Sequence, residues 1–325
     1  MARLYTEGFE SGDILFFTTP TGAAITTTPR SGVYCADLAA TATKVLPSTY
    51  SEFYLRAGFN VNSIAAGVKI SMGWYKGTTI IGEVHISGNK LEIQVGAAVV
   101  ATGTRALAIG TWYLIEVHVK IANSGGEITA KIDGITECTF TGDTQPGADT
   151  VIDTISFYDS DHSYFDDLAM NDTSGAVDNS WCGDGRVIAL TPNGDGDLSQ
   201  LTNQLGNSTN NYSYVDEKPS NGDTDYVQGS VVDQKDLYAL TDCGLTGISI
   251  SRVWAESRSR DTVAAGGLLA LTIKTNSTEY SSADIALLNT YSRVIGTDYP
   301  LNPNTGVAWT IAQVDALQAG PKTRS

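Results

Sequence analysis

The chain has 325 residues, 42% hydrophobic and only 17% charged, with 33 glycines. That length exceeds a usual single domain and predicts two, and a polar fraction dominated by Gly, Thr, Ser and Asn fits an all-β protein. A formal net charge of −16 without a Lys/Arg cluster excludes a general nucleic-acid binder, because such a surface repels phosphate backbones.

The N-terminus, MARLYTEGFESGDILFF, has no cationic segment leading into an apolar run and a small-residue cleavage site. No secretory signal is expected there, so synthesis in the cytoplasm with export by another route is the expectation. No apolar run reaches the ~18 residues of a membrane helix. Period-two alternation and turn residues predict strands at Leu4–Phe9, Ile14–Thr18, Val33–Asp37, Glu52–Asn60, Gly67–Tyr75, Thr79–Ser87 and Lys90–Val95. Hairpins close at Lys76-Gly77 and around Ser87-Gly88-Asn89.

Trp112–Ile121 is the clearest strand. Trp112, Leu114, Glu116, His118 and Lys120 share a wet face, while Tyr113, Ile115, Val117, Val119 and Ile121 share a dry one. Asn123-Ser124-Gly125-Gly126 reverses the chain into Glu127–Ile132, and further strands follow at Glu137–Thr141, Thr154–Tyr158 and Tyr164–Met170. Such a meander builds a sandwich, expected over residues 1–172.

Residues 173–186 read as a linker of turn formers, and 187–325 as a second, smaller antiparallel β domain. Its polar stretch from Pro192 to Asp225 is too long for a tight loop and is suited to ordering on a neighbouring subunit. Strands are predicted at Tyr226–Val232, Asp236–Leu240, Gly247–Ser257, Gly267–Thr275, Thr278–Tyr280 and Tyr291–Tyr299. One short helix is predicted over Trp309–Leu317, capped by Thr310 and stopped by Gly320-Pro321.

Cys35, Cys138, Cys182 and Cys243 are isolated and read as reduced thiols rather than zinc ligands. Asp159, Asp161, Asp166 and Asp167 crowd one loop with hard oxygen donors, a pattern that suits calcium. Asn193, Asp195 and Asp197 resemble part of a calcium loop, without its downstream Glu. An acidic solvent face is the simpler reading of both clusters. Trp74 and Tyr113 are the candidate platforms for a sugar ring, each paired with an aromatic neighbour that alternation turns the other way. No GxSxG nucleophile is present, and His85, His118 and His162 read as solvated.

GFESGD, WYLIEVHV, GGEITAKIDG and YFDDLAM together resemble the concanavalin A-like (laminin G-like) lectin and glucanase sandwiches over residues 1–172. The runs TPNGDGDLSQLT, NYSYVDEKPSNGDTDYV and NPNTGVAWTIAQVDALQAG resemble segments of tailed-bacteriophage virion structural proteins. The glucanase pattern ExDxxE is missing, so no catalytic residue is expected. The resemblance implies a non-enzymatic virion component, a capsid decoration, head fibre or tail part that contacts other virion proteins as a homo-oligomer, with a trimer as one form. The alternative is an adhesion protein that binds a host surface glycan.

Overall fold

The computed structural model describes residues 3–63, 69–262 and 266–324. The chain forms two compact units, Met1–Ile188 and Ala189–Ser325. Both are nearly all β.

The first unit opens with β1 (Arg3–Glu7), β2 (Thr19–Pro20), β3 (Ala23–Thr26), β4 (Cys35–Leu38) and β5 (Thr41–Tyr50). Next come β6 (Glu52–Asn60), β7 (Lys69–Lys76), β8 (Thr79–Ser87), β9 (Lys90–Val95) and β10 (Ala98–Thr102). It closes with β11 (Trp112–Lys120), β12 (Gly126–Ile132), β13 (Ile135–Gly142), β14 (Ile152–Asp159) and β15 (Ser163–Asp172). One sheet runs β13-β12-β11-β6-β15-β4-β3, with β1 also on β15; the other runs β10-β9-β8-β7-β14-β5-β2. Their inner faces share one core, in which Phe53 meets Trp74 and Phe157 meets Phe165. This is the predicted jelly-roll sandwich, with the last strand returning beside the first.

Four strands of the first unit escape the sequence reading: the short β2 and β3, and β5 and β10. β5 carries Pro47 in a stretch where its ladder with β14 shifts register, the position at which proline costs no hydrogen bond. β10 is a short edge strand on β9. The expected strand start at Gly67 lies outside the described residues, and Ile14–Thr18 is not a strand.

The segment expected as a linker packs on the first sheet instead. Trp181 packs edge-on against Tyr54 and His118, and Lys131 lies 3.5 Å over its indole. The Gly183 N–H donates to Glu116, and Arg56 donates to the Gly183 carbonyl. This strap buries Leu114 and Glu116 on the face that alternation marked as wet.

The second unit contains β16 (Pro192–Ser199), β17 (Thr202–Asn203), β18 (Val227–Gln228), β19 (Asp236–Leu240), β20 (Glu256–Ser259) and β21 (Leu268–Thr275). They are followed by β22 (Thr278–Ser281), β23 (Ile285–Ala286), β24 (Ser292–Ile295), helix α1 (Ile311–Asp315) and β25 (Gln318–Thr323). The main sheet runs β16-β19-β25-β21-β22, and β20 with β24 forms a separate ribbon. Thr310 caps α1 in a full capping box, as expected. Gly320-Pro321 does not merely stop the helix: it lies inside β25, a central strand. The polar stretch 192–225 is pinned rather than loose. Buried Asp236 accepts the N–H groups of Gln200 and Leu201, the Asn211 amide and the Tyr238 hydroxyl.

Candidate functional site

The outer face of the second sheet of the first unit is the most chemically endowed surface. On β7 the core side takes Ile70, Met72 and Trp74, so Ser71, Gly73 and Tyr75 face outward. Strand pairing then sets rows across the sheet. Ser156, Gly73, Glu83 and Gln94 form one row, and Tyr158, Ser71, His85 and Glu92 form the next.

Two glycines decide how the aromatics lie. A Cβ on Gly73 would stand 2.9 Å from Tyr75 Cε2 and 3.1 Å from Ser156 Oγ, so the Tyr75 ring lies across the bare backbone of Gly73. Burial pushes the Tyr75 phenol above its ordinary value, a hydrogen bond with Ser156 opposes this, and Glu83 adds to the rise. On the core side, Trp74 lies against Gly82 in the same way, where a Cβ would come within 2.8 Å of Cζ2.

Beside this ring, His85 is 5% exposed and faces a carboxylate on each nitrogen. Nδ1 is 3.3 Å from Glu83 Oε1 and Nε2 is 3.1 Å from Glu92 Oε2. Nδ1 makes no hydrogen bond of good geometry. Glu83 is nearly buried and Glu92 is partly exposed, so the imidazole is bracketed by one covered carboxylate and one that reaches solvent. The sequence showed GEVHIS as carrying a single Glu; its partner comes from β9, directly opposite across the Ser87-Gly88-Asn89 turn. Register counted along that hairpin would have found it. His85 is therefore buried rather than solvated.

The residues singled out as sugar platforms are not platforms. Trp74 is fully buried, edge-on to Phe53 at 6.0 Å. Tyr113 is 6% exposed, its hydroxyl accepting the Ala108 N–H at 2.8 Å and its ring covered by Arg105. The outward members of the two aromatic pairs are Tyr75 and Trp112.

The expected calcium ligands do not converge. Among the described residues no three His, Cys, Asp or Glu side chains group to hold a metal ion. Asp159 is buried and accepts the backbone N–H groups of Ser160, Asp161 and Ser163, closing the turn, while Asp161 faces solvent. As neighbours in a regular strand, Asp166 and Asp167 would point to opposite faces of the sheet. A bulge in β15, with Asp167 at φ 51°, brings both to Arg30 and Ser31. Asp166 accepts the N–H groups of Arg30, Ser31 and Asp167; Asp167 pairs with the Arg30 guanidinium at 2.7 Å and takes the Ser31 hydroxyl. Burial and the charge of Asp167 push the Asp166 carboxyl up to about 8, against the pull of those N–H groups. The cluster fastens β15 to the 30–31 segment. Arg30 also lines a small pocket of about 120 Å³ with Glu116, Asp133 and Asp184.

Asn193, Asp195 and Asp197 lie on strand β16, not in a loop. Their side chains alternate outward; Asp195 accepts the Asn210 N–H and Asp197 pairs with Lys274. Gly196 sits where a Cβ would come 2.4 Å from the Leu237 carbonyl oxygen, so the glycines admit close strand approach. His118 stacks on Tyr54 at 4.4 Å and meets Glu52 at 2.9 Å under the strap. His162 is exposed and meets Asp37 at 3.0 Å.

No protein-family model matches the chain, and no curated protein matches it. Solved structures match at the level of the sandwich. An endo-β-1,4-glucuronan lyase from the fungus Trichoderma reesei is 10% identical, covering 55% of this chain and 100% of its own, with a TM-score of 0.41. An alginate lyase from Aplysia kurodai is 10% identical over 52% of this chain and 99% of its own, at 0.39. A carbohydrate-binding module from Bacillus subtilis is 7% identical over 46% and 96%, at 0.32. At such distance these likenesses say nothing of this chain's substrate. They do correct the expectation of a non-enzymatic protein: lyases stand beside a binding module among the matches, so the fold gives no ground for excluding catalysis.

Proposed function

We propose that the chain recognises a glycan through the outer face of the second sheet of its first unit, with Tyr75 as the stacking platform. The observation that carries this reading is the Tyr75 ring lying across Gly73, flanked by Ser156 and Glu83. A pinned aromatic ring bordered by hydroxyls and carboxylates offers a sugar both an apolar face and hydrogen-bond partners. Two carboxylates on the floor, Glu83 and Glu92, favour a neutral saccharide over a uronate. The His85 trio adds acid–base groups to the same floor, so turnover is measured along with binding.

Calorimetry against neutral oligosaccharides chosen from a glycan array tests the reading. Tyr75→Ala is expected to weaken binding about tenfold, a stacking loss of about 1.4 kcal/mol. Unchanged affinity in Tyr75→Ala, or no binding to any array glycan, overturns it.

A place in a phage particle is a second reading, supported by exposed large apolar side chains on the second unit: Leu205, Val231, Val232, Leu288, Leu301 and Val307. Such a surface suits attachment to another virion protein or to a second copy. Mass spectrometry of purified particles checks it; a chain missing from them ends this reading.

A further inference from the structure

The β20–β24 ribbon of the second unit carries an arrangement that neither the fold nor the proposed glycan face uses. One face of the ribbon anchors it: Val294 is buried against Leu269 and Leu271, and the Gly296 N–H donates to the Ala255 carbonyl. Alternation sends Glu256 and Arg258 of one strand, and Arg293 and Ile295 of the other, to the outer face, with Arg260 just past the end of β20. Arg258 is directly opposite Arg293 in the antiparallel register. Two cations so placed have Cβ atoms about 5 Å apart and oppose the pairing of their strands.

The two arginines differ in what they already hold. Arg293 donates from Nε and Nη2 to Glu256 Oε2, at 3.2 and 2.6 Å. Arg258 is exposed, and its described contact is with an aromatic ring, its guanidinium carbon 5.8 Å from the centre of Tyr291. That ring is itself fixed. Its hydroxyl donates to Asp223 at 2.9 Å, and Arg260, 4.9 Å from the ring centre, donates to the same carboxylate oxygen at 2.7 Å. Asp223 and Arg260 therefore hold Tyr291, and Tyr291 braces the Arg258 guanidinium beside Arg293.

We propose that Arg258 and Arg293, braced by Tyr291, form a binding site for an oxyanion, the carboxylate or sulfate group of an acidic saccharide. A planar guanidinium matches such a group in two parallel hydrogen bonds; exposed Arg258 presents one, while Arg293, committed to Glu256, adds its charge beside it. An anion between the two cations also relieves the repulsion that their register imposes. On a chain of net charge −16, the ribbon sets three guanidinium groups, Arg258, Arg260 and Arg293, against two carboxylates, Glu256 and Asp223, a local excess of positive charge. The site is independent of the glycan face on the first unit.

The test uses the full chain labelled with ¹⁵N-arginine, following the side-chain Nε–H resonances during titration with sodium sulfate, with sodium glucuronate and with sodium chloride at matched ionic strength. Arg258→Gln identifies the Arg258 resonance, and Arg293→Gln that of Arg293. Expected are saturable shifts of both resonances with sulfate or glucuronate, at about millimolar affinity, and none with chloride. Saturation by glucuronate alone assigns the site to a uronate; saturation by sulfate alone assigns it to a sulfate ester or the free ion. In Arg258→Gln the Arg293 shift is expected to fall at least tenfold, and in Tyr291→Leu the apparent affinity to fall several-fold. Equal shifts with chloride, or an Arg293 titration unchanged in Arg258→Gln, overturn the proposal.

Discussion

At the scale of single residues, glycine positions sort the aromatic side chains into core and outward-facing ones. Trp74 and Tyr75 are neighbours in sequence, yet Gly82 receives the indole on the core side and Gly73 receives the phenol on the outer side. The two therefore answer differently to mutation. Trp74→Ala is expected to lower stability by about 3–5 kcal/mol through loss of a filled core position. Gly73→Ala is expected to displace the Tyr75 ring, weakening glycan binding several-fold at little cost to the fold, because the group that must move is the end of a side chain. Denaturant unfolding alongside calorimetry separates the two. Binding loss in Gly73→Ala matched by an equally large stability loss would remove the distinction.

At the scale of elements, a hairpin turn supports the candidate site. The Lys76-Gly77 turn, which leads out of the strand that bears Tyr75, is tied to β14: Asp153 accepts from Lys76 Nζ at 2.6 Å and from the Gly77 N–H at 2.8 Å. The Lys76 bond first, and the Gly77 N–H second, hold the Asp153 carboxyl below its usual value of 3.8. A depressed carboxyl contributes stability that is complete above the unfolded value and is lost as pH falls through the folded one. Asp153→Asn is thus expected to cost about 0.5–1 kcal/mol at neutral pH, as a partly exposed pair does. The gap from the parent should narrow and close as pH falls below the ordinary carboxyl value of 3.8. Thermal melts across that range check it, and a gap that persists at low pH points to packing rather than charge.

At the scale of the whole molecule, the first unit ends with its strap and not with its last strand. A fragment cut after Ile188 keeps the Gly183 contacts to Glu116 and Arg56, the Ser180 carbonyl on Asn171 and the Val187 N–H on Asp167. A fragment cut after Asp172 removes those hydrogen bonds from buried polar groups, each loss costing roughly 1–3 kcal/mol. The longer fragment is expected to melt cooperatively, and the shorter to melt several degrees lower or to aggregate. Equal melting temperatures would show that the strap adds nothing.

The amino-acid sequence by itself determined whatever rests on neighbours a few residues apart. Period-two alternation placed β6, β8, β9 and β19 at their true bounds, and Thr310 as a cap marked the start of a short helix. The Glu92–His85 pairing was also within reach, since a tight hairpin sets its own register. Tertiary structure decided the rest, because those features depend on residues distant in sequence. β5 with Pro47 and β25 with Gly320-Pro321 are strands only because partners elsewhere supply the ladder. The bulge that turns Asp166 and Asp167 onto one segment breaks the alternation that sequence reasoning assumed. Which member of Trp74-Tyr75 faces outward is a choice between two sheet faces, and a local pattern that reads the same from either side cannot make it. Packing of the two sheets makes it, by burying the indole and leaving the phenol on the face proposed to meet a glycan.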